Sequence, residues 1–416
     1  MVELLPLAAE QRLLLAGAAR QAAPVYTISY GYRVIGDLDV GRLAAATGRL
    51  AAEVPLLRAA FEGSRVLPTA MRVLPEREVF ADHGVVEDPD AFVAGLAGRR
   101  VRLLRDPLFQ VAVARHGSDH VAFTMWHHAI ADAWSVGLCT RWLGELYAGT
   151  GGPPEGARRW PDFVADEAAA LAATADPGRF WVDQHRDARF ATLVPAVPAV
   201  PAVPAVPAPP AGTAGTVLTE VAGPGFPARC RAVGGTAGSV LLAAAALAAG
   251  FPDGPVALPT MLANREPPYE ETVGLLMRTA LLRAEPLGSQ PAAELRRGML
   301  RQLGRCWRHR HESLLLLAER SPAAAAELAA GPPPFFAQVL DVPRRELVLP
   351  GCKTELVHHG FERTTRFGVE LHLRPLDGGA VQGAFVHDLA RYRRADVEDA
   401  AVRYRELVDQ LTEVRP

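Results

Sequence analysis

The chain has 416 residues, 49% of them hydrophobic and 22% charged, and a formal net charge of -2 with histidine neutral. That length exceeds what one hydrophobic core usually serves, so two lobes are expected, and the composition is that of a globular protein in water. The charge balance leaves no global basic field for nucleic acid.

Three further features narrow the class. No basic leader opens the chain. The longest apolar run, Ser239 to Phe251, is short for a bilayer span and reads as a buried helix. Cys139, Cys230, Cys306 and Cys352 lie too far apart for a paired metal motif and read as reduced thiols. A cytoplasmic protein that binds neither nucleic acid nor membrane is expected. Gly234, Gly235 and Gly238 lack the lysine of a nucleotide loop and read as turn residues.

Residues 4–20 carry an apolar side of Leu4, Leu5, Leu7, Leu13, Leu14 and Leu15, which predicts a helix with Pro6 near its start. Residues 25–35 alternate and are rich in β-branched and aromatic types, predicting a strand, and 37–52 predict a helix. A strand is expected to begin at Leu56, a short helix over 90–98, and strands over 107–114 and 120–128 around a turn at Gly117-Ser118-Asp119. The pattern then predicts a helix from Ala133 to Tyr147 and mostly helix from Pro161 to Trp181.

Pro195 to Pro210 is a Pro-Ala-Val repeat. Proline has no N–H to donate, so 191–212 is expected to be an extended interlobe linker at ~3.1 Å per residue. Beyond it, strands are expected at 215–221, 255–263 and 335–342, and helices at 238–249 and 294–319. A hairpin of 367–373 with 380–387 and an amphipathic helix over 394–414 follow. The two halves read alike, as strands with helices over one face. This predicts an α/β sandwich built twice, with lobes at 1–190 and 213–416.

The stretch from Trp126 to Ser135 carries the chemistry. Strand alternation puts Val121, Phe123, Met125 and His127 on one face and Ala122, Thr124, Trp126 and His128 on the other. The adjacent histidines therefore meet different surroundings. An imidazole with a pKa near ~6.5 exchanges a proton near neutral pH, which suits deprotonating an amine or hydroxyl as it attacks an acyl group. Asp132 either pairs with an arginine and fixes the loop, or caps the following helix. No third ligand stands at metal spacing, so no metal is expected.

His127-His128-Ala129-Ile130-Ala131-Asp132 resembles the HHxxxDG motif of nonribosomal peptide synthetase condensation domains, in the chloramphenicol-acetyltransferase-like superfamily. Other segments resemble that family in its order. Leu5-Pro6-Leu7 with Glu10-Gln11-Arg12 is similar to its opening helix. Gly36-Asp37-Leu38-Asp39, Leu57-Arg58-Ala59-Ala60-Phe61 and Asp106-Pro107-Leu108-Phe109 precede the histidines. Trp160-Pro161-Asp162-Phe163, Ala263-Asn264-Arg265-Glu266, Val273-Gly274-Leu275-Leu276 and Phe335-Phe336-Ala337-Gln338-Val339 follow them.

The resemblance implies an α/β fold: a V-shaped pseudo-dimer of two chloramphenicol-acetyltransferase-like sandwich lobes with a central tunnel. It implies His128 as the active-site residue, with His127 beside it in the catalytic pair. Asp132 would be structural, in a salt bridge to Arg265 or Arg58, and Trp134, Ser135 and Arg278 would lie along the tunnel. No cofactor is bound. The acyl group arrives on the phosphopantetheine of a carrier protein acting in trans and passes to a small-molecule or carrier-bound amine or alcohol. The product is an amide or ester, in nonribosomal peptide or hybrid natural-product biosynthesis, and the enzyme is a free-standing monomer.

Two departures from the motif bear on this. Ala133 stands in place of the motif glycine; if that position needs positive φ, alanine costs on the order of 1 kcal/mol or the loop takes another path. Arg278 stands where the family has asparagine; it either adds a cation near the tunnel or faces outward.

A second reading is a degenerate domain that only recruits a carrier or a tailoring enzyme. Epimerisation domains are set apart by the order Trp134-Ser135. The plant acyl-CoA type is set apart by the absence of a DFGWG segment. Arg391, Arg393 and Arg394 either meet an acidic carrier or form a solvated helix start. His309 and His311 read as surface or interlobe residues, and His358-His359 as structural.

Overall fold

The computed structural model describes residues 3–18, 26–64, 68–75, 78–194, 213–250, 254–285, 292–342, 346–359 and 365–413. In chain order these give β1 (Leu4–Leu5), α1 (Ala9–Ala18), β2 (Thr27–Gly36), α2 (Val40–Glu53), β3 (Ala59–Gly63), β4 (Pro68–Val73), β5 (Phe80–Val85), α3 (Pro89–Ala97), β6 (Phe109–His116), β7 (Asp119–His127) and α4 (Ala133–Ala148). Then come α5 (Trp160–Ala172), α6 (Arg179–His185), β8 (Arg189–Phe190), β9 (Ala214–Ala222), α7 (Phe226–Ala232), α8 (Ala237–Ala249), β10 (Val256–Leu262), β11 (Arg278–Ala284) and α9 (Ala292–Arg308). The chain closes with α10 (Leu315–Arg320), α11 (Pro322–Ala330), β12 (Phe335–Val339), β13 (Cys352–His359), β14 (Val369–Pro375), β15 (Val381–Asp388) and α12 (Arg394–Thr412). Among the described residues no single helix is long and apolar enough to cross a membrane.

The elements group into two compact units, neither of them contiguous in sequence. Met1–Ala170, Arg265–Met277 and Val342–Phe361 form the first; Leu171–Asn264, Arg278–Asp341 and Glu362–Pro416 form the second. This differs from the contiguous lobes expected at 1–190 and 213–416. Two segments from the C-terminal half belong to the first unit because their hydrogen-bond partners lie there, which no local pattern reveals. Of the expected linker, residues 195–212 lie outside the described residues.

The first unit is built on a sheet of order β13-β2-β7-β6-β5, antiparallel except for the β5–β6 pair. Strand β7 lies at its centre, and residues 121–127 are buried on both faces. On one face Ala122 and Trp126 join Tyr30, Phe109, Leu43 and Leu50 of α2, and Val136 and Leu143 of α4. On the other, Val121, Phe123 and Met125 pack with Ala112, Ala114 and Val93 of α3. Gly144 of α4 lets the 346–349 segment approach closely: a Cβ there would stand 2.6 Å from the Val348 carbonyl oxygen.

A second small sheet, β1-β4-β3, starts the chain. The helix expected over 4–20 therefore begins later, at Ala9. Leu4 and Leu5 pair instead with Arg72 and Met71, and Pro6 follows as the break.

In the second unit, a sheet of order β12-β14-β15-β9 carries α8 and α12 on one face. Tyr404 of α12 meets Phe385 edge-on at 5.8 Å and donates to the Leu241 carbonyl at 3.0 Å. The other sheet is β11-β10-β8. The helix expected over 294–319 is interrupted between Arg308 and Leu315. Glu312, 1% exposed, sits in the break and is satisfied there. It accepts from the Gly178 N–H, pairs with His309 Nδ1 at 2.6 Å, and its carbonyl takes the Trp181 indole at 3.0 Å. A buried carboxylate that needs partners overrides helical propensity. His309, expected at a surface or between lobes, keeps its side chain 37% exposed and stacks on Phe180 at 4.1 Å within this unit.

Two glycine replacements separate packing from propensity. Gly144→Ala forces the Val348 backbone to move and is expected to cost about 1–3 kcal/mol. Gly48→Ala, in an exposed position of α2 with nothing within 4 Å of the added Cβ, is expected to gain about 0.5–1 kcal/mol. Thermal melts of the two variants should move in opposite directions.

Candidate active site

Strand β7 ends at His127, and the chain turns at 128–130 before α4 begins at Ala133. His128 therefore stands on the turn. Backbone bonds set this turn: His127 N–H donates to the Leu108 carbonyl at 2.6 Å, His128 N–H to Tyr26 at 2.7 Å, and Ile130 N–H to His127 at 3.0 Å. From α1, the buried Gln11 side chain donates to the Ala129 carbonyl at 2.7 Å while its oxygen accepts from Ala8 N–H.

Asp132 closes the turn. It is the N-cap of α4, its Oδ1 accepting from Ser135 N–H at 2.8 Å and from Arg265 Nη2 at 2.9 Å. Its Oδ2 accepts from the N–H groups of Leu276 and Met277 at 3.0 and 3.1 Å. Burial pushes its pKa up, but the Arg265 charge and the hydrogen bonds from Ser135 and Arg265 outweigh that and hold it below the usual carboxylate value.

Arg265 Nη2 also donates to Ser135 Oγ at 2.7 Å, and Nη1 donates to the carbonyls of Tyr269 and Thr272 at 3.1 and 2.6 Å. The guanidinium lies over the Trp134 ring at 5.6 Å, and the Trp134 indole donates to the Glu270 carbonyl at 2.9 Å. Asn264, at φ 50, turns the chain into Arg265, a left-handed conformation that asparagine tolerates.

The two alternatives for Asp132 thus coincide: it is at once helix cap and arginine partner. Arg58 is not that partner. Its guanidinium donates to the carbonyls of Ala51, Leu74 and Pro75, tying α2 to the end of β4. Ser135 is fully buried and spent within the clamp. It donates to the Gly274 carbonyl at 2.8 Å and accepts from Gly274 N–H and Arg265, so no valence is left for a substrate.

Ala133 is the first residue of α4, so it needs no positive φ and carries none of the anticipated backbone cost. Arg278 is fully buried on β11 of the second unit, which excludes the outward-facing reading. Gln11 and Gly274 hold the loop without having been singled out for that role. A lone glycine inside the apolar run 273–277 was the available signal: a Cβ at Gly274 would stand 2.2 Å from the Trp160 ring.

The histidines divide by burial. His127 Nδ1 accepts from the Ala129 N–H at 3.2 Å, which places the proton of the neutral ring on Nε2. Burial, with a smaller contribution from His128, pushes His127 down to about 3. So weak a base does not hold a proton taken from an amine or alcohol near neutral pH. Through this Nδ1 contact His127 helps to shape the turn. Cys139 of α4 is no nucleophile either: burial, against a lowering effect of Arg265, pushes its thiol up to about 12. His358 on β13 is buried and bonded to Ser29 Oγ at 3.3 Å, within the sheet.

The pH dependence follows. Unfolded, His127 takes up a proton below its ordinary 6.5; folded, it stays neutral to about 3. The unfolded state binds more protons in that window, so stability falls as pH drops through it. Asp132, depressed in the folded state, contributes stability that is present above its unfolded value and lost as pH falls through the folded one. His127→Gln, which keeps an acceptor for Ala129 N–H, is expected to flatten the melting-temperature profile between 6.5 and about 3. An unchanged slope there means that His127 titrates normally.

The condensation-domain family model matches residues 2–414. Cyclosporin synthetase simA of Tolypocladium inflatum is 29% identical over 133 residues, 31% of this chain and 1% of that protein. Bacitracin synthase 3 of Bacillus licheniformis is 28% identical over 155 residues, 35% of this chain and 2% of that protein. The chain thus matches a small part of those far longer synthetases.

Among solved structures, SgcC5 of Streptomyces globisporus is similar at a TM-score of 0.74 and 19% identity, with 98% of each chain covered. The X-domain from teicoplanin biosynthesis gives 0.76 and 20%, covering 98% of this chain and 94% of that one. The complex of the X-domain with OxyB gives 0.74 and 21%, covering 99% and 93%. At these identities the structures speak for the fold, and the family model speaks for descent. The chain belongs to the condensation-domain family of nonribosomal peptide synthesis and has its chloramphenicol-acetyltransferase-like α/β fold.

Proposed function

We propose that the chain transfers an acyl or aminoacyl group from a carrier-protein phosphopantetheine thioester to an amine or an alcohol, with His128 at the reacting centre. The observation that carries this reading is the clamp of Asp132 with Arg265, which fixes the turn bearing His128 in a buried frame. Such pre-set geometry is what acyl transfer without metal or nucleotide requires.

The nucleophile's lone pair attacks the thioester carbonyl carbon while its N–H or O–H proton passes to, or is held by, His128. The tetrahedral species collapses with loss of the C–S bond, and the phosphopantetheine thiolate takes up the proton. His127, held neutral, keeps the turn in shape. Family membership supports the reaction class, and the carrier protein enters as the partner that this chemistry needs.

A recruiting role, with the chain docking a carrier or tailoring enzyme and forming no bond, is the second reading. The complex of a like-folded X-domain with OxyB favours it. The complete clamp and the unstrained Ala133 favour chemistry.

The test is intact-mass analysis of holo-carriers loaded with a panel of acyl groups and mixed with a panel of amines and alcohols. Product is expected with the wild-type chain. His128→Ala should lower the rate by ~10²–10⁴-fold with an unchanged melting temperature. Turnover equal to wild type removes His128 from the mechanism. Tight partner binding with no product from any pair decides for recruitment.

A further inference from the structure

Away from the histidine turn, the second unit carries a groove of about 680 Å³ between α9, the C-terminal half of α8 and the strand β11, which is the edge of its sheet. Its walls hold Arg283, Arg297, Arg301 and Arg305 against Glu285 and Glu294. Its floor is apolar, with Ala243, Ala246, Leu247 and Met299.

Arg297, Arg301 and Arg305 recur every four residues and form one exposed stripe on α9. Like charges at that spacing repel and weaken a helix. Several other exposed arginines are paired with carboxylates, as in Arg33 with Asp119, Arg49 with Glu53, Arg141 with Glu271 and Arg179 with Asp183. Among the described residues, no carboxylate pairs with the three arginines of the stripe. Within the groove Glu285 is already taken by Arg283. With Glu294 the remaining carboxylate of the lining, a chain of net charge -2 thus keeps an excess of positive charge at one concave place.

The shape of the groove selects among anionic partners. No aromatic side chain lines it, so it offers no platform on which nucleic-acid bases would stack. None of its apolar side chains is exposed, whereas a membrane-inserting face projects large side chains outward. The stripe runs over two turns of α9, about 12 Å at the α-helical rise. That spacing matches carboxylates placed every four residues on a second helix lying alongside, with one apolar side chain of that helix entering the recess.

We propose that this groove docks an acidic helix of the carrier protein, an assignment that rests on the carrier-dependent reading given above. It moves the docking surface away from Arg391, Arg393 and Arg394, where Arg394 is already paired with Glu398.

The test measures binding of a panel of acidic holo-carrier proteins, labelled on the phosphopantetheine thiol, by fluorescence anisotropy at low and high salt. For the wild-type chain, affinity should fall as salt rises. The variant Arg301→Glu/Arg305→Glu should bind on the order of tenfold more weakly, with a flatter salt dependence. Arg301→Gln/Arg305→Gln should fall between the two, and Arg391→Glu/Arg393→Glu should match the wild type. Circular dichroism checks that each variant is folded.

Equal carrier binding by the wild type and the Glu variant overturns the groove and leaves the carrier-dependent reading standing. Binding of no carrier by the wild type overturns that reading and the groove with it. Tighter, groove-dependent binding of single-stranded DNA or anionic phospholipid vesicles than of any carrier overturns the choice of partner.

Discussion

A buried carboxylate shared between two segments far apart in the chain sets the rest of the first unit. Asp132 and Arg265 are nearly inaccessible, with side chains 3% and 2% exposed, and each is tolerable in that position only because the other is there. Removing one partner of such a pair costs about 3–5 kcal/mol, because the survivor stays buried and charged. The pair therefore acts as a constraint on geometry more than as a reserve of stability. Asp132 starts α4, receives the backbone of Leu276 and Met277, and closes the histidine turn. Arg265 gathers the carbonyls of Tyr269 and Thr272 and so shapes the segment that brings them. One ion pair thus decides where a helix begins, how a loop turns and to which unit a distant segment belongs.

The site's chemistry follows from what this clamp leaves over. Every polar atom of Asp132 and Ser135 is spent on holding the loop. His127 is spent as well, since burial leaves it neutral and its Nδ1 is committed to the loop backbone. Cys139 beneath them is an inert thiol. The role at the reacting centre is proposed for His128 with these neighbours otherwise engaged. Alanine in place of the motif glycine costs no backbone strain, because Ala133 opens α4 and has no positive φ.

The second unit shows the same rule in another setting. Glu312, buried in the break between α9 and α10, draws an imidazole, an amide and an indole around itself, and the local helical pattern gives way to it. Glu370 is held similarly. Burial works against its ionisation, yet Arg366 and His372 keep it far below the usual carboxylate value. Here buried charge is met by partners within the unit. Along α9, by contrast, Arg297, Arg301 and Arg305 are exposed and pair with no carboxylate among the described residues.

The sequence by itself determined most of the elements and the identity of the chemical stretch. Periodicity placed β2, β7, α4, β9, β10, the β14–β15 hairpin and α12 to within a few residues, because each presents one apolar face to its own unit. The order of the motifs around His127 and His128 pointed to the family. Tertiary structure alone decided the rest. β13 is the edge strand of a sheet formed by residues some three hundred positions earlier, and its exposed Leu356 and Val357 give no alternation to read. The division into units, the choice of Arg265 over Arg58, the consumption of Ser135 and the neutrality of His127 all depend on which groups are buried together. Pairing and desolvation are properties of three-dimensional neighbours, and a local pattern of residues carries neither.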